Sequence, residues 1–289
     1  MVSAQAFGIA GVQMPVSAFE DNVARMGAYL KHIRSRFPWV RMVLFSELCA
    51  LGPSHAKAEP LPGPTERRLC ALAKETGLWL IPGSLFEKAS GEHGELVYNT
   101  TPVIDPQGEV VARFRKLFPF RPYERDVAGG KAFCVFDVPD VGRFGVSICY
   151  DMWFPETTRT LAAMGAEVIL HPTMTDTIDR EVELAIARAS AATNQVYFFD
   201  INGVGDGGVG RSIVCDPAGY VLHQAAAGPE IIPVEIDLLR LRRERERGLR
   251  TLGQPLKSFR DRDCEFEVYR RDSGLDAYLH TLGPLAKPG

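Results

Sequence analysis

Cys149 is the residue whose type and position best suit covalent chemistry. It ends an apolar segment, SIC, that we predict to be a strand, and six residues later Pro155-Glu156 is typical of a helix start. A thiol at a strand-to-helix turn lies near backbone N–H groups, which favour the thiolate and can bind an oxyanion. A single cysteine in such a place can also be an unreactive core residue, so the local sequence leaves both interpretations open.

Two similar strand–helix–strand units place a second reactive residue, Glu47, beside this cysteine. The first unit is FGIAGVQ, a helix capped by Asp21 or Asn22, and MVLFSE; the second is FGVSICYD, the helix PETTRTLAAMG, and EVILHPT. Glu47 and Cys149 each follow a predicted strand. Catalytic groups in such sheets cluster outside the carboxyl ends of the strands.

Short apolar runs that alternate with helical patterns favour an α/β architecture. Further predicted elements are a helix Thr65–Thr76 closed by Gly77, strand Leu78–Ile81, hairpins turning at DPQG and DPAG, helix Glu181–Asn194 and strand Val196–Ile201. From about Leu238 the chain is polar, and its run RLRRERERGLR predicts a solvated helix with mixed charge pairs. We assign one domain to residues 1–237 and a C-terminal extension to residues 238–289.

The composition excludes several classes of function. The 289 residues carry a net charge of −3, which gives no basic surface for nucleic acid or an anionic membrane. No apolar run approaches the roughly 20 residues of a membrane span, and the start lacks a signal-peptide pattern. The six cysteines are scattered without a CxxC pair, so we expect reduced thiols in a cytoplasmic protein.

Three segments resemble motifs of the nitrilase superfamily of carbon–nitrogen hydrolases. ICYDMWFPE resembles the nucleophile motif, VLFSELCALG the general-base motif and FRKLFPF the lysine motif, in the family's order of Glu, Lys and Cys. The resemblance extends from about Phe7 to Asp237. It implies an αββα sandwich with a triad of Glu47, Lys116 and Cys149, and no metal or organic cofactor. It also implies a homo-oligomer in which the extension packs on a partner subunit.

The chemistry of such a triad is consistent with these residue types. A carboxylate within hydrogen-bond reach takes the thiol proton and later activates water, while a charged lysine stabilises the developing negative charge. The resemblance also implies a second glutamate, which orients substrate or holds the lysine. Glu124 in FRPYERDVAGG is the best match; Asp126 is an alternative, as is a loop acid that merely pairs with Arg121 or Arg125.

The segment after the nucleophile predicts part of the substrate site. We expect the backbone N–H of Tyr150 to bind the oxyanion. Relatives that act on amides of dicarboxylic acids or on N-carbamoyl D-amino acids carry an arginine near the position of Trp153, and neither Met152 nor Trp153 can grip a carboxylate. The tryptophan resembles the carbamoylputrescine amidase motif, and its ring face suits an apolar or cationic substrate. Alternatively, Trp153 belongs to the core.

The segment HPTM follows the strand VIL, where relatives place pocket-lining residues. We therefore expect His171, Thr173 and Met174 to contact substrate. The sequence departs from the family pattern at Ser46, where a proline is usual, at LGPSHA in place of Thr-Gly-Tyr, and at Phe118 in place of histidine. The six histidines lack metal-ligand spacing, and the glycine-rich GVGDGGVGR predicts a loop between strands rather than a phosphate site.

The expected activity is hydrolysis of a small-molecule amide or N-carbamoyl group through a thioester, with release of ammonia. A nitrilase is a weaker alternative, because nitrile-hydrolysing relatives typically follow the cysteine with Trp-Glu and this chain has Tyr150-Asp151. A non-catalytic binding protein would have no chemical need for all three triad residues. Acyltransferase relatives carry membrane spans, which this sequence does not predict.

Overall fold

Two stacked sheets, each covered by helices, form the described part of the chain, which in this computed structural model comprises residues 6–92, 94–270 and 272–287. One of the six histidines, His93, lies outside these residues. The strands are β1 (Ala6–Gln13), β2 (Pro15–Val16), β3 (Val40–Phe45), β4 (Glu59–Pro60), β5 (Trp79–Ile81), β6 (Leu85–Gly91), β7 (Gly94–Ile104), β8 (Val110–Arg115), β9 (Cys134–Val138), β10 (Gly142–Val146), β11 (Val168–Pro172), β12 (Tyr197–Ile201), β13 (Val204–Gly205), β14 (Gly208–Val209), β15 (Ile213–Cys215), β16 (Val221–Gln224) and β17 (Glu230–Asp237). The helices are α1 (Asn22–Arg36), α2 (Pro64–Thr76), α3 (Pro155–Ala163), α4 (Asp179–Asn194), α5 (Leu238–Arg247), α6 (Pro255–Arg260) and α7 (Asp276–His280), with 3₁₀ helices at His55–Lys57, Cys149–Trp153 and Glu267–Tyr269.

The first sheet has the strand order β17-β1-β3-β5-β7-β6-β4, with β8 paired to β7. The second sheet has the order β16-β15-β12-β11-β10-β9. A small third sheet, β14-β13-β2, contains the glycine-rich segment, so that segment is a short hairpin rather than only a loop.

Alternating side chains of the central strands build the layers. In β1, Phe7 and Ile9 face the second sheet, where they join Phe144 in the inter-sheet core. The intervening Ala10 and Val12 face α1 and α2. Because both faces of each sheet are covered by apolar contacts, the layers are helix, sheet, sheet and helix, which confirms the predicted αββα sandwich.

The two predicted strand–helix–strand units occupy equivalent places in the two sheets. β1 pairs in parallel with β3 across α1, and β10 pairs in parallel with β11 across α3. The carboxyl ends of β3 and β10 therefore lie where Glu47 and Cys149 follow them. Asp21 caps α1 by accepting the Ala24 N–H, so of the two predicted caps, Asp21 and Asn22, the structure has the first.

The helix predicted from RLRRERERGLR packs against the domain rather than standing free. α5 places Leu238 and Leu241 in the inter-sheet core, both fully buried. On its other faces Arg240 pairs with Asp216 at 2.6 Å, and Arg242 pairs with Glu167 at 2.6 Å. The charge pairs thus join this helix to the sheets across long sequence separations.

None of the helices in residues 6–92, 94–270 and 272–287 combines the length and the apolar character needed to cross a bilayer.

The inter-sheet core gives a test of the layer assignment. Phe144 is fully buried, and its ring lies 5.7 Å from that of Phe7 and 5.6 Å from that of Phe136. Phe144→Ala should lower the free energy of unfolding by about 3–5 kcal/mol, because it leaves a cavity between the sheets. Urea denaturation measures this change. The exposed Val111→Ala is the control and should change stability by less than about 0.5 kcal/mol; equal losses would contradict the assignment.

Candidate active site

Glu47 lies in the turn that follows β3 and is 2% exposed. Its backbone N–H donates to the carbonyl of Thr173 at 3.1 Å, which ties the turn to the second sheet. The backbone before it passes so close to Gly83 that a Cβ there would lie 1.7 Å from the Ser46 carbonyl oxygen. Gly83 also has a φ of +74°, so a glycine is required beside this turn.

Lys116 follows β8 directly and is as buried as Glu47. Its Nζ donates to Glu47 Oε1 at 3.0 Å and to Glu124 Oε2 at 2.9 Å. Asn99, on the neighbouring β7, donates its side-chain amide to the same Glu47 oxygen at 2.7 Å. Burial disfavours the ammonium, but the carboxylates of Glu47 and Glu124 and the sulfur of Cys149 outweigh it and hold the pKa of Lys116 well above its usual value.

Glu124 is the second glutamate that reaches the lysine. Its carboxylate also accepts a hydrogen bond from the Phe120 N–H, which fixes the turn that carries it. The alternative candidate, Asp126, is exposed, and Arg121 bonds the Arg125 and Val127 carbonyls instead of Glu124. The structure therefore brings Glu124 to the lysine and leaves Asp126 at the surface.

Cys149 lies at a sharp turn rather than on a strand. β10 ends at Val146, and Cys149 begins the 3₁₀ helix with a φ of +46°. The predicted strand is therefore too long by three residues, because the chain bends where Asp151 accepts the Ile148 N–H at 2.9 Å. A non-glycine residue in this left-handed region is uncommon and directs the thiol towards Glu47.

The surroundings of Cys149 favour the neutral thiol in the resting site. Burial raises its pKa, and the nearby carboxylate of Glu47 raises it further, although Lys116 and the Met174 N–H act in the opposite direction. Burial also raises the pKa of Glu47, which Lys116 and the hydrogen bond from Cys149 counteract. The arrangement is a neutral thiol that faces a buried carboxylate, so attack by sulfur requires proton transfer to Glu47.

Two donors surround the space in front of the sulfur. One is the Lys116 ammonium. The other is the backbone N–H of Tyr150, the second residue of the 3₁₀ helix, for which no acceptor is found among residues 6–92, 94–270 and 272–287. Donors at a helix start can stabilise an oxyanion next to the nucleophile.

A cavity of about 660 Å³ opens above these groups. Glu47, Lys116, Glu124 and Cys149 line its floor, and Tyr150, Trp153 and Met174 line its walls. Further lining residues come from the segment 48–55, from Phe86, from the turn at 120–123 and from residues 175–183. The size suits a small molecule rather than a polymer chain.

The remaining predicted contact residues, His171 and Thr173, do not reach this cavity. Both side chains are fully buried behind it. The His171 Nδ1 bonds the Ser147 hydroxyl at 2.7 Å, and burial lowers the pKa of His171 to about 3, so the ring is neutral. The Thr173 hydroxyl faces that of Thr175 at 3.4 Å. The structure assigns them a supporting place beneath the nucleophile turn.

Asp151 is a residue of this site for which we predicted no role. It is fully buried, and its carboxylate accepts the N–H groups of Leu117 at 3.0 Å, Phe118 at 2.8 Å and Ile148 at 2.9 Å. One side chain thus joins the segment after Lys116 to the nucleophile turn. Its position two residues after the cysteine was the available signal, but the sequence could not show which donors it would meet.

Among the described residues, no group of three or more His, Cys, Asp and Glu side chains has an arrangement that could hold a metal ion.

Asp151→Asn should lower the turnover number about 10-fold or more, because an amide cannot accept all three N–H groups and the lysine segment shifts from the nucleophile. It should also cost about 1–3 kcal/mol of stability. Steady-state kinetics and urea denaturation measure the two effects. Asp216→Asn is the matched control: Asp216 is buried, accepts two backbone N–H groups and lies outside the cavity lining. Equal losses of turnover in both variants would contradict a positioning role.

Comparison with known proteins agrees with this geometry. The profile of the carbon-nitrogen hydrolase family matches residues 8–246. Omega-amidase NIT2 from Homo sapiens is 31% identical over 260 residues, which cover 81% of this chain and 90% of the relative. A formamidase from Bacillus cereus (strain B4264) is 30% identical over 242 residues, which cover 78% of this chain and 72% of the relative.

The fold has solved counterparts. Nit3 of Saccharomyces cerevisiae, a member of branch 10 of the nitrilase superfamily, superposes with a TM-score of 0.76 at 26% identity, over 84% of this chain and 94% of Nit3. Except for the first two residues of β1, the family match covers both strand–helix–strand units, and it includes every residue of the candidate site. The chain belongs to the carbon–nitrogen hydrolase family of the nitrilase superfamily.

Proposed function

We propose that the protein hydrolyses a small-molecule amide or N-carbamoyl compound, with Cys149 as nucleophile, Glu47 as general base and Lys116 as oxyanion-stabilising cation. The observation that carries this proposal is the contact geometry at the cavity floor. The Lys116 ammonium lies 3.0 Å from the Glu47 carboxylate, which also accepts a hydrogen bond from the Cys149 thiol. A base, a nucleophile and a fixed positive charge thus converge on one small cavity.

The first half of the reaction forms a thioester. As the sulfur attacks the carbonyl carbon, its proton passes to Glu47. The oxygen becomes an oxyanion held by Lys116 and the Tyr150 N–H. Glu47 then gives its proton to the nitrogen, the C–N bond breaks and ammonia leaves. The raised pKa of Lys116 keeps its charge throughout these steps.

The second half hydrolyses the thioester. Glu47, now ionised again, takes a proton from water, and the hydroxide attacks the thioester carbon. When the tetrahedral intermediate collapses, the C–S bond breaks and the sulfur recovers its proton from Glu47. An amide yields a carboxylic acid, whereas a carbamoyl group yields carbamic acid, which loses CO₂. Glu124 holds Lys116 in place for both halves, at 2.9 Å.

The relatives' activities support an amide-type substrate, since the curated relatives named above are an omega-amidase and a formamidase. For the same reason, action on a nitrile is the weaker alternative. The buried triad also argues against a non-catalytic binding protein. Burying an ion cluster of this kind costs stability, and a binding protein would have no chemical use for it.

We extend the proposal to assembly and compartment. Leu252, Tyr278, Leu282 and Leu285 in the C-terminal extension are between 66% and 81% exposed, which supports packing of this extension on a partner subunit. All six cysteines are free thiols, and a thiol nucleophile must stay reduced, which supports a cytoplasmic location.

Cys149→Ala should abolish ammonia release while the fold stays intact, since the variant removes the attacking atom. The measurement is ammonia release across a panel of simple amides, N-carbamoyl amines, N-carbamoyl amino acids and nitriles, with circular dichroism as the check on folding. Cys70→Ala, which alters a half-buried thiol on α2, is the matched control and should keep wild-type turnover. Full activity in Cys149→Ala would overturn the mechanism.

The pH dependence follows from the general base. Glu47 must be ionised in the free enzyme, and burial raises its pKa above the ordinary 4.5, so kcat/KM should fall at acidic pH with a midpoint above that value. Lys116, with its raised pKa, should remain charged through neutral pH, which leaves a plateau there. A pH–rate profile tests both expectations. Glu47→Gln should lose activity at every pH, and a variant that kept the acidic limb would show that another group titrates.

A further inference from the structure

The charge of the cavity is strongly unbalanced. Its described lining contains one Lys or Arg side chain and five carboxylates: Lys116 with Glu47, Glu124, Asp176, Asp179 and Glu183. The ammonium is already committed, because it lies between Glu47 and Glu124. The other three carboxylates, Asp176, Asp179 and Glu183, have no Lys or Arg partner within the described lining.

Glu183 is the most buried of these three carboxylates. It projects from α4 and is 3% exposed. One oxygen contacts Arg180 at 3.1 Å, and the other accepts the indole N–H of Trp153 at 3.4 Å. Arg180 also contacts the buried Asp200 at 2.8 Å, so Glu183 and Asp200 share one guanidinium group. Packing thus fixes this carboxylate against the cavity wall beside the tryptophan.

Glu183 also lies near the nucleophile, Cys149, because both line the same cavity. The negative charge of Glu183 contributes to the raised pKa of Cys149, after burial and Glu47. Because Glu183 and Cys149 line the same cavity of about 660 Å³, a substrate that spans from the sulfur to this carboxylate is short. Asp176 and Asp179 continue the acidic wall to the rim, where Asp176 is exposed and Asp179 accepts only the Thr177 hydroxyl among the described contacts, at 2.9 Å.

The cavity that these acids line also contains several aromatic rings. Trp153, Tyr150, Phe120 and Tyr123 line the same cavity. The ammonium of Lys287 lies 5.1 Å from the centroid of the Tyr123 ring, so an ammonium group of this chain already contacts one face of that ring. Carboxylates interleaved with aromatic faces are the chemistry that recognises an ammonium group.

We propose that the substrate is a short linear amine, with its amide or carbamoyl group at one end and an ammonium at the other, held by Glu183 and the Asp176–Asp179 rim. This inference rests on the hydrolase function proposed above. It differs from what a dicarboxylic acid amide would require, since a second carboxylate in the substrate would meet the like charges of Glu183, Asp176 and Asp179.

The test uses three carboxamides that share one methylene chain and differ in the far group. δ-Aminovaleramide ends in an ammonium, hexanamide in a methyl group and adipamate in a carboxylate; the corresponding ureas repeat the series. We expect kcat/KM for the ammonium compound to exceed that for the methyl compound about 30-fold or more, with the carboxylate compound poorest. Added salt should reduce the preference, because the rim is open to solvent.

Two variants examine the two parts of the acidic wall. In Glu183→Gln, and separately in the double variant Asp176→Asn/Asp179→Asn, the ratio of kcat/KM for the ammonium over the methyl compound should fall by about 10-fold. The rim pair, in which Asp176 is exposed and Asp179 half-buried, tests the idea even if Glu183→Gln folds poorly. Glu235→Gln, an exposed acid outside the cavity, is the control and should leave the ratio unchanged.

The outcomes separate the two proposals. A preference for the methyl or carboxylate compound, or a ratio that neither variant changes, would overturn the cationic substrate and leave the hydrolase function in place. Ammonia from none of the amides or ureas, with the protein folded, would overturn the hydrolase function itself.

Discussion

The Lys116 ammonium lies between two carboxylates in a place that water barely reaches, and the rest of the site depends on that contact. Its neighbours come from separate parts of the chain: Glu47 from the turn after β3, Glu124 from the turn after β8 and Cys149 from the turn after β10. Taking one cation and two anions out of water is costly, so the surrounding donors must be accurately placed. Asn99 and the Phe120 N–H supply such donors to the two glutamates.

This contact also sets the protonation of the nucleophile. Two carboxylates beside one lysine leave excess negative charge, which opposes a thiolate in the same space. The raised pKa of the Cys149 thiol follows from burial and from that charge. The site therefore differs from cysteine sites that hold a preformed thiolate, since here attack and proton transfer to Glu47 must be coupled. Once sulfur has lost its proton to Glu47, the excess negative charge moves onto the substrate oxygen, where Lys116 and the Tyr150 N–H can meet it.

The sequence predicted this floor because three motifs resemble those of the family and each lies at the end of a predicted strand, while Glu124 was predicted from the resemblance alone. It predicted the walls less well. His171 was expected at the cavity, but it belongs to β11, whose register with Phe144–Val146 and Tyr197–Ile201 turns its ring towards Ser147 and Phe198. The left-handed turn at Cys149 and the three hydrogen bonds of Asp151 were not predicted either. Two of the N–H groups that Asp151 accepts, those of Leu117 and Phe118, lie 34 and 33 residues away in sequence.

The acidic wall shows why substrate identity is the hardest feature to predict. In the sequence, Glu183 is one acid on an amphipathic helix, and only the packing of α4 against the nucleophile turn gives it a role. The chemistry at the floor is built by strand ends that the two-sheet architecture positions, whereas the far end of the cavity is built by loops and by the first turns of α4. The floor can therefore stay fixed while the charge of the wall changes. For this reason we expect family membership to indicate the class of bond that is broken, and the distribution of charge around Trp153 to select the molecule that presents that bond to Cys149.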